Sequence, residues 1–193
     1  MRRVVKLGGS LLLRPELLAD IHGWLALQSQ AENLVIVGGG ELVDAVRRLD
    51  EIRPADPIDT HWQCVDLLQT TFEIAAAWFD WNLIRSAAEL DSALQSGLSS
   101  QRPTLVAVKS FYDRSSSIQV PLGWETTSDT IAAILAAVVR ADELVLLKSC
   151  VVEPDFDLAQ LAHAGIVDTA LLRMQTEQLS IRVEQLSDPS LFR

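Results

Sequence analysis

The amino-acid sequence predicts an α/β fold built on a mainly parallel sheet covered by helices on both faces. Three observations carry this. Short segments of strand character alternate with segments of helical period along most of the chain. The strand segments are near-continuous apolar runs, as in strands buried on both faces. Several of these runs also end in lysine or glycine, at the carboxyl ends where open parallel sheets bind ligands.

The elements follow in order. VVKL at 4–7 is a strand rich in β-branched residues. Gly8 and Gly9 then turn the chain, and Ser10 opens an apolar helix. A helix over about 15–28 places Leu17, Leu18, Ile21, Trp24 and Leu25 at helical spacing. LVIV at 34–37 is a second strand that again runs into glycines, Gly38, Gly39 and Gly40, before a helix carrying Leu42, Val43, Val46 and Leu49. Pro54 and Pro57 break the chain. A long apolar helical region extends from Thr60 to about Ile84, interrupted near Asp80. Residues 83–85 and 104–109 read as strands with a helix over 87–97 between them, and 115–117 and 121–123 are loops. Thr127 or Ser128 caps a helix over 129–140 whose apolar face is Ile131, Ile134, Leu135 and Val138, and ELVLLK at 143–148 is another buried strand.

Length and charge narrow the function. At 193 residues, 49% of them hydrophobic, the chain reads as one globular domain over 1–193. A net charge of −10 excludes a general nucleic-acid surface, which needs a basic stripe. It is compatible with a phosphorylated substrate, because a few lysines in a cleft set the local potential. The start, MRRVVKLGG, lacks the apolar stretch of about 7–15 residues that a secretory signal needs. No apolar run reaches membrane-spanning length. The expected protein is soluble and cytoplasmic, with a small-molecule substrate and neither nucleic acid nor membrane as partner. Cys64 and Cys150 lie far apart without metal-ligand spacing and are expected to be buried free thiols. His22, His61 and His163 form no HxxxH or HxH pattern, so no metal site is expected. His22 and His163 belong on helix surfaces; His61, next to Trp62, either lines an acceptor pocket or packs structurally. No Gly-x-Ser-x-Gly elbow is present.

Four constellations carry chemistry. Lys6 with Gly8, Gly9 and Ser10 makes an anion cradle: free N–H groups at a glycine turn, the positive end of a helix, and a full charge beside them. The plainer alternative is a tight turn with a surface lysine. Gly38, Gly39 and Gly40 allow a ligand to approach the backbone closely, or serve only as a flexible connection. Two such junctions in one sheet would hold two anionic groups face to face, as phosphoryl transfer requires. Asp129, in TTSD, either belongs to a helix cap or orients lysines towards phosphate. Lys148, ending LVLLK, is either a strand terminus at the surface or a second ammonium opposite Lys6. Lys109 ends TLVAVK and faces the site or solvent. Neither GxxxxGK[ST] nor GxGxxG occurs.

In this order, VVKLGGSLL, VIVGGGELVDAVRRLD, TTSDTIAAILA and LVLLKS resemble the amino acid kinase family, which includes acetylglutamate, aspartate, carbamate and uridylate kinases. The resemblance runs from residue 4 to about residue 149. It implies a three-layer αβα sandwich, a homo-oligomer, and ATP with Mg²⁺ as the source of the phosphoryl group. By motif it implies that Lys6 and Lys148 stabilise the transition state and that Asp129 organises them. It further implies that Gly8 and Gly9 meet the transferred phosphoryl group and that Gly39 and Gly40 flank the acceptor; the position of Ser10 beside the first turn, and of Gly38 and His61 near the second, adds them to the expected phosphate and acceptor sides respectively.

DAVRRLD followed by THW, and PLGWETTSDTIA, look most like the small kinases of methanofuran biosynthesis, which phosphorylate an aminomethylfuran methyl phosphate. The Arg-Val-Thr segment of acetylglutamate kinases, the Phe-Gly-Gly-Thr start of aspartate kinases and the usual acceptor-side segments of uridylate kinases are missing. After the last strand the family's Asp-x-x-Gly turn is replaced by SCVVEPDF, so the nucleotide-binding C-terminal part is expected to be shortened and the adenine pocket reduced or built differently. That departure motivates the alternative of a non-catalytic module binding a nucleotide or phosphometabolite. The helix carrying Trp62, Trp78 and Trp81 is read as core or as a dimer seam.

Overall fold

The computed structural model describes residues 1–174, 176 and 178–186. Six strands form one sheet in the order β3-β4-β2-β1-β5-β6, with every pairing parallel. They are β1 (Arg2–Leu7), β2 (Glu32–Val37), β3 (Asn82–Ile84), β4 (Thr104–Val106), β5 (Glu143–Lys148) and β6 (Ser180–Gln185). The helices are α1 (Leu17–Leu27), α2 (Glu41–Ile52), α3 (Pro57–Trp78), α4 (Ala87–Ser96), α5 (Ser128–Val138) and α6 (Leu158–His163).

Strand alternation divides the interior into two cores. Val4, Leu34, Ile36, Leu144 and Leu146 face α5 and the first half of α3, where Trp62, Val65 and Leu68 lie. Val5, Leu7, Val35, Val37, Val145 and Leu147 face the other way, onto Leu17, Ile21 and Trp24 of α1 and onto Phe72 and Ala75 further along α3. This is the expected αβα sandwich. The same alternation fixes the site. Lys6 shares the face of Val4, and Lys148 the face of Leu144 and Leu146. Both lysines therefore emerge at the carboxyl ends of adjacent strands, beneath α5, with Lys6 paired in register to Leu146.

Several boundaries differ from the sequence reading, each for a local reason. The apolar segment after Gly8 is a 3-10 turn, Gly9–Leu13, rather than the start of an α-helix. Pro15 forces Arg14 into an extended conformation and stops it after five residues. The long helix starts at Pro57: Asp56 caps it by accepting from the N–H groups of Ile58 (2.9 Å) and Asp59 (3.2 Å), and Pro57 fills a first-turn position where no donor is needed. It ends at Trp78, so Trp81 lies outside it; Trp62 and Trp81 are buried, and Trp78 is exposed. The strand read over 104–109 closes at Val106. The chain then turns through a 3-10 segment, Val108–Ser110, whose Ser110 hydroxyl donates to the Ala107 carbonyl at 2.7 Å. β6 was not anticipated; it adds a parallel edge strand beyond β5. The thiols are both free, but Cys150 is exposed and Cys64 only half-buried. No helix among the described residues is long and apolar enough to cross a membrane.

Candidate functional site

The two glycine junctions meet back to back. A Cβ on Gly9 would stand 2.1 Å from the Gly40 nitrogen and 2.5 Å from the Gly38 carbonyl oxygen, and one on Gly40 would stand 2.5 Å from the Gly9 carbonyl carbon. These obstacles are backbone atoms that cannot rotate away. Gly40 also has φ +54, the left-handed region that glycine tolerates best, where it serves as the N-cap of α2. Glycine is therefore required here by close approach of two turns. Gly38 sits just behind, its hydrogen facing Ser128 Oγ and the Lys6 side chain. One detail departs from the sequence reading: the Gly8 N–H does not point into open space but donates to the Leu147 carbonyl at 2.9 Å, stitching the turn to β5.

In front of this seam lies a cavity of about 490 Å³, within the range of small-molecule sites. Lys6, Asp129 and Lys148 form its charged floor, only 6%, 3% and 9% exposed. The Asp129 carboxylate takes one lysine per oxygen. Lys6 Nζ lies 2.9 Å from Oδ1, an ion pair off the direction of a good hydrogen bond, and Lys148 Nζ donates to Oδ2 at 2.6 Å. Burial opposes the charge on Asp129, but Lys6 and Lys148 outweigh it and hold the carboxyl below its ordinary value. Burial, and then repulsion from Lys6, lower the Lys148 pKa, while Asp129 and Asp168 act against that. Each ammonium carries three N–H donors, so after meeting Asp129 each retains donors for an anion. On the floor itself two buried cations share one carboxylate, while Asp44, Arg47 and Asp168 complete the charged lining further out.

The rim comes from several elements. Ser10 and Ser149 share a hydrogen bond of 2.7 Å across the mouth between β1 and β5. On the α2–α3 side, Arg47 stacks over the Trp124 ring at 4.7 Å and donates to Asp44 at 3.0 Å, and the Trp124 indole donates to Asp50 at 2.8 Å. His61 is buried on α3, with Nε2 2.9 Å from the Tyr112 hydroxyl; burial lowers its pKa, which keeps the ring neutral near pH 7. Burial likewise pushes the Cys64 thiol up to about 11.

Thus Lys6, Gly8, Gly9, Ser10, Gly39, Gly40, His61, Asp129 and Lys148 surround one cavity, with Gly38 immediately behind. Lys109 does not join them: it points away, bonded to Asp66 at 2.7 Å and half-exposed. His22 and His163 lie exposed on helices. Sequence reasoning assigned no role of its own to Arg47, whose signals were its place in DAVRRLD and its position nearly two turns into the helix after the glycines. It missed Asp168 altogether. A second hollow of about 760 Å³ beside β6, lined by Trp24, Phe156, Leu158 and Ile181 among others, contains neither the lysines nor the glycine turns. The site residues singled out in the sequence gather at the first. Among the described residues no group of three His, Cys, Asp or Glu side chains is placed to hold a metal.

No protein-family model and no curated protein matches the sequence. Solved structures match the fold. The crystal structure of uridylate kinase from Archaeoglobus fulgidus aligns over 100% of this chain and 94% of its own, at 17% identity and a TM-score of 0.61. The UMP kinase from Bacillus anthracis aligns over 99% and 89%, at 13% identity and 0.65. The aspartate kinase from Synechocystis aligns over 97% of this chain but 39% of its own, at 18% identity and 0.63. The chain shares the fold of these kinases.

Proposed function

We propose that this chain is an ATP-dependent kinase of the amino acid kinase family that transfers the γ-phosphoryl group to a small phosphate-bearing acceptor. The observation that carries the reading is the Asp129 carboxylate gripping two buried lysines in front of two apposed glycine turns. In-line phosphoryl transfer needs little covalent help from a protein: it needs donor and acceptor oxygens held in line and positive charge over the moving group. The Gly8–Ser10 turn takes the donor phosphate and the Gly38–Gly40 turn the acceptor side. Lys6 and Lys148 reach the charge that spreads over the equatorial oxygens, and Asp129 keeps both ammoniums aimed before substrate arrives. Mg²⁺ would supply charge neutralisation of the phosphates. It fits as an ion carried in by the nucleotide, since such ions rely on substrate phosphates and one or two carboxylates, and Asp129 is already committed to the lysines.

The acceptor is read from the other wall. Arg47, stacked on the Trp124 ring, offers a cation to a phosphate or phosphonate, and Trp124 adds apolar surface to the same wall. These features, with DAVRRLD, THW and PLGW, support a methanofuran precursor as the finer reading of the substrate. A homo-oligomer and a single domain with a shortened nucleotide end complete the proposal. The missing Asp-x-x-Gly turn favours one rival, a binding module that senses a nucleotide or phosphometabolite without turnover.

The test is ADP release from ATP across a panel of phosphate and carboxylate acceptors. Turnover is expected, and Lys6→Ala should lower kcat by about 30- to 1000-fold, the loss of one preorganised donor worth roughly 2–4 kcal/mol. Nucleotide binding without turnover on any acceptor supports the sensor instead. Normal turnover by Lys6→Ala ends the assignment.

A further inference from the structure

The first turn of α5 is not capped by its own residues. Thr127 stands at the N-cap, where a threonine hydroxyl ordinarily accepts from a backbone N–H two or three residues on, yet it makes no such bond. Its hydroxyl instead donates to Asp168 Oδ2 at 2.8 Å. The same oxygen accepts from the backbone N–H of Thr127 at 2.8 Å and of Thr130 at 3.1 Å. The other oxygen accepts from the Thr130 hydroxyl and from the Leu171 N–H, the latter at 3.1 Å. One carboxylate, from the segment between α6 and the 3-10 turn Thr169–Met174, thus gathers five donors and caps a helix that begins some forty residues earlier in the chain.

Asp129 lies between the two threonines that Asp168 grips. It points to Lys6 and Lys148, so the hold on its neighbours fixes where its carboxylate sits. Asp168 also borders the cavity, close enough for its charge to favour protonated Lys148.

Resting on the kinase reading above, we propose that Asp168 is a positioning residue: it locks the first turn of α5 and, through it, holds the Asp129 carboxylate in register with both lysines. The segment after β5 is by this account part of the catalytic apparatus and not a cover alone. A purely structural anchor would make the same bonds but would leave the aim of Asp129 unchanged when they are lost.

The experiment compares the wild-type chain with Asp168→Asn and Thr130→Val. Asparagine keeps the shape but has one acceptor oxygen instead of two and turns an NH₂ group towards the donors on the other side, so part of the grip is lost, with the carboxylate charge, without opening a hole. Three readouts are taken: the melting temperature, the steady-state constants with ATP, and the ¹³C carboxyl resonance of Asp129 with the ¹⁵N resonance of Lys148. Asp168→Asn is expected to fold, to lose about 10- to 100-fold in kcat with KM for ATP within about threefold, and to shift both resonances, the scale on which outer partners of a site act. Thr130→Val should shift the resonances the same way by less, and it decides the matter if Asp168→Asn does not fold. Folded variants with unmoved Asp129 and Lys148 resonances overturn the proposal. If the wild-type chain turns over no acceptor, the kinase reading fails by itself, and the resonances still decide whether Asp168 positions Asp129.

Discussion

Replacing Asp129 by Asn tests the charge balance of the floor directly. The side chain is 3% exposed, and its carboxylate lies 2.9 Å from Lys6 and 2.6 Å from Lys148. Asparagine has nearly the same shape, so packing is retained, but two buried ammoniums lose their shared counter-charge. Removing one partner of a buried ion pair typically costs about 3–5 kcal/mol because the survivor stays desolvated. In a domain of this size each kcal/mol moves Tm by about 2–4 °C, so Asp129→Asn should melt roughly 6–20 °C lower at pH 7. The deficit should shrink as pH rises, because Lys148, already titrating below 10.5, sheds its proton and ceases to need a partner. Tripolyphosphate should stabilise the variant more than the wild type, since it supplies the missing negative charge; a ligand at about 100 times its Kd adds about 2.7 kcal/mol. Differential scanning calorimetry with and without tripolyphosphate, at pH 7 and pH 9.5, reads all three effects. Equal melting of variant and wild type at pH 7, with no extra gain from the anion, would refute the view that Asp129 holds two charged lysines.

Other outcomes follow from the same geometry. Gly9→Ala places a methyl carbon 2.1 Å from the Gly40 nitrogen, so the two turns must part; overpacking of this kind costs about 1–3 kcal/mol or more, visible as a lower urea midpoint together with weakened ADP binding by calorimetry. The pH profile should show Lys148 on its alkaline side. Its folded-state pKa is lowered, so the working ammonium is lost as pH rises through a value below 10.5, and kcat should fall there. The stability sign is the opposite: the folded chain sheds this proton before the unfolded one does, so this group's contribution to stability rises over the interval up to 10.5. For Asp129 the folded pKa is depressed, so its contribution is complete above 3.8 and is lost as pH falls through a value below 3.8. A kcat profile flat to pH 11 would remove Lys148 from the chemistry.

The legible parts of the molecule are those whose signal is local. VVKLGG and VIVGGG each announce a buried strand followed by a turn that needs glycine, and strand alternation in VVKL and ELVLLK is enough to place Lys6 and Lys148 on one face of the sheet. Once both lysines share a face, an aspartate in the first turn of the helix above them is their natural counter-charge. The 3-10 turn after Gly8 was harder, because three leucines in a row satisfy either helix and only Pro15 cuts the segment short. The strand read over 104–109 was too long for a related reason: TLVAVK has strand composition throughout, but β3 offers β4 only three residues to pair with, and the chain turns before Lys109. Asp168 left no local trace, since every upstream partner lies 38 or 41 residues away. β6 is half-exposed along its length, so SIRVEQ lacks the continuous apolar run that marks the inner strands.

The contact of Gly9 with Gly40 bears on how such a site can diversify. If the proposed transfer takes place here, the spacing between the giving and the receiving side of the cavity is set by the close approach of the Gly9 and Gly40 backbones, with no side chain between them that mutation could enlarge or trim. This seam behaves as a fixed gauge. New acceptors have to be accommodated at the walls, by changes in α2, in α3 and in the loop carrying Trp124, while the gauge keeps the reach of the transfer constant. Directed libraries aimed at altered substrate choice therefore belong at Asp44, Arg47, His61 and Trp124, and any library that includes Gly9 or Gly40 should return those two positions unchanged.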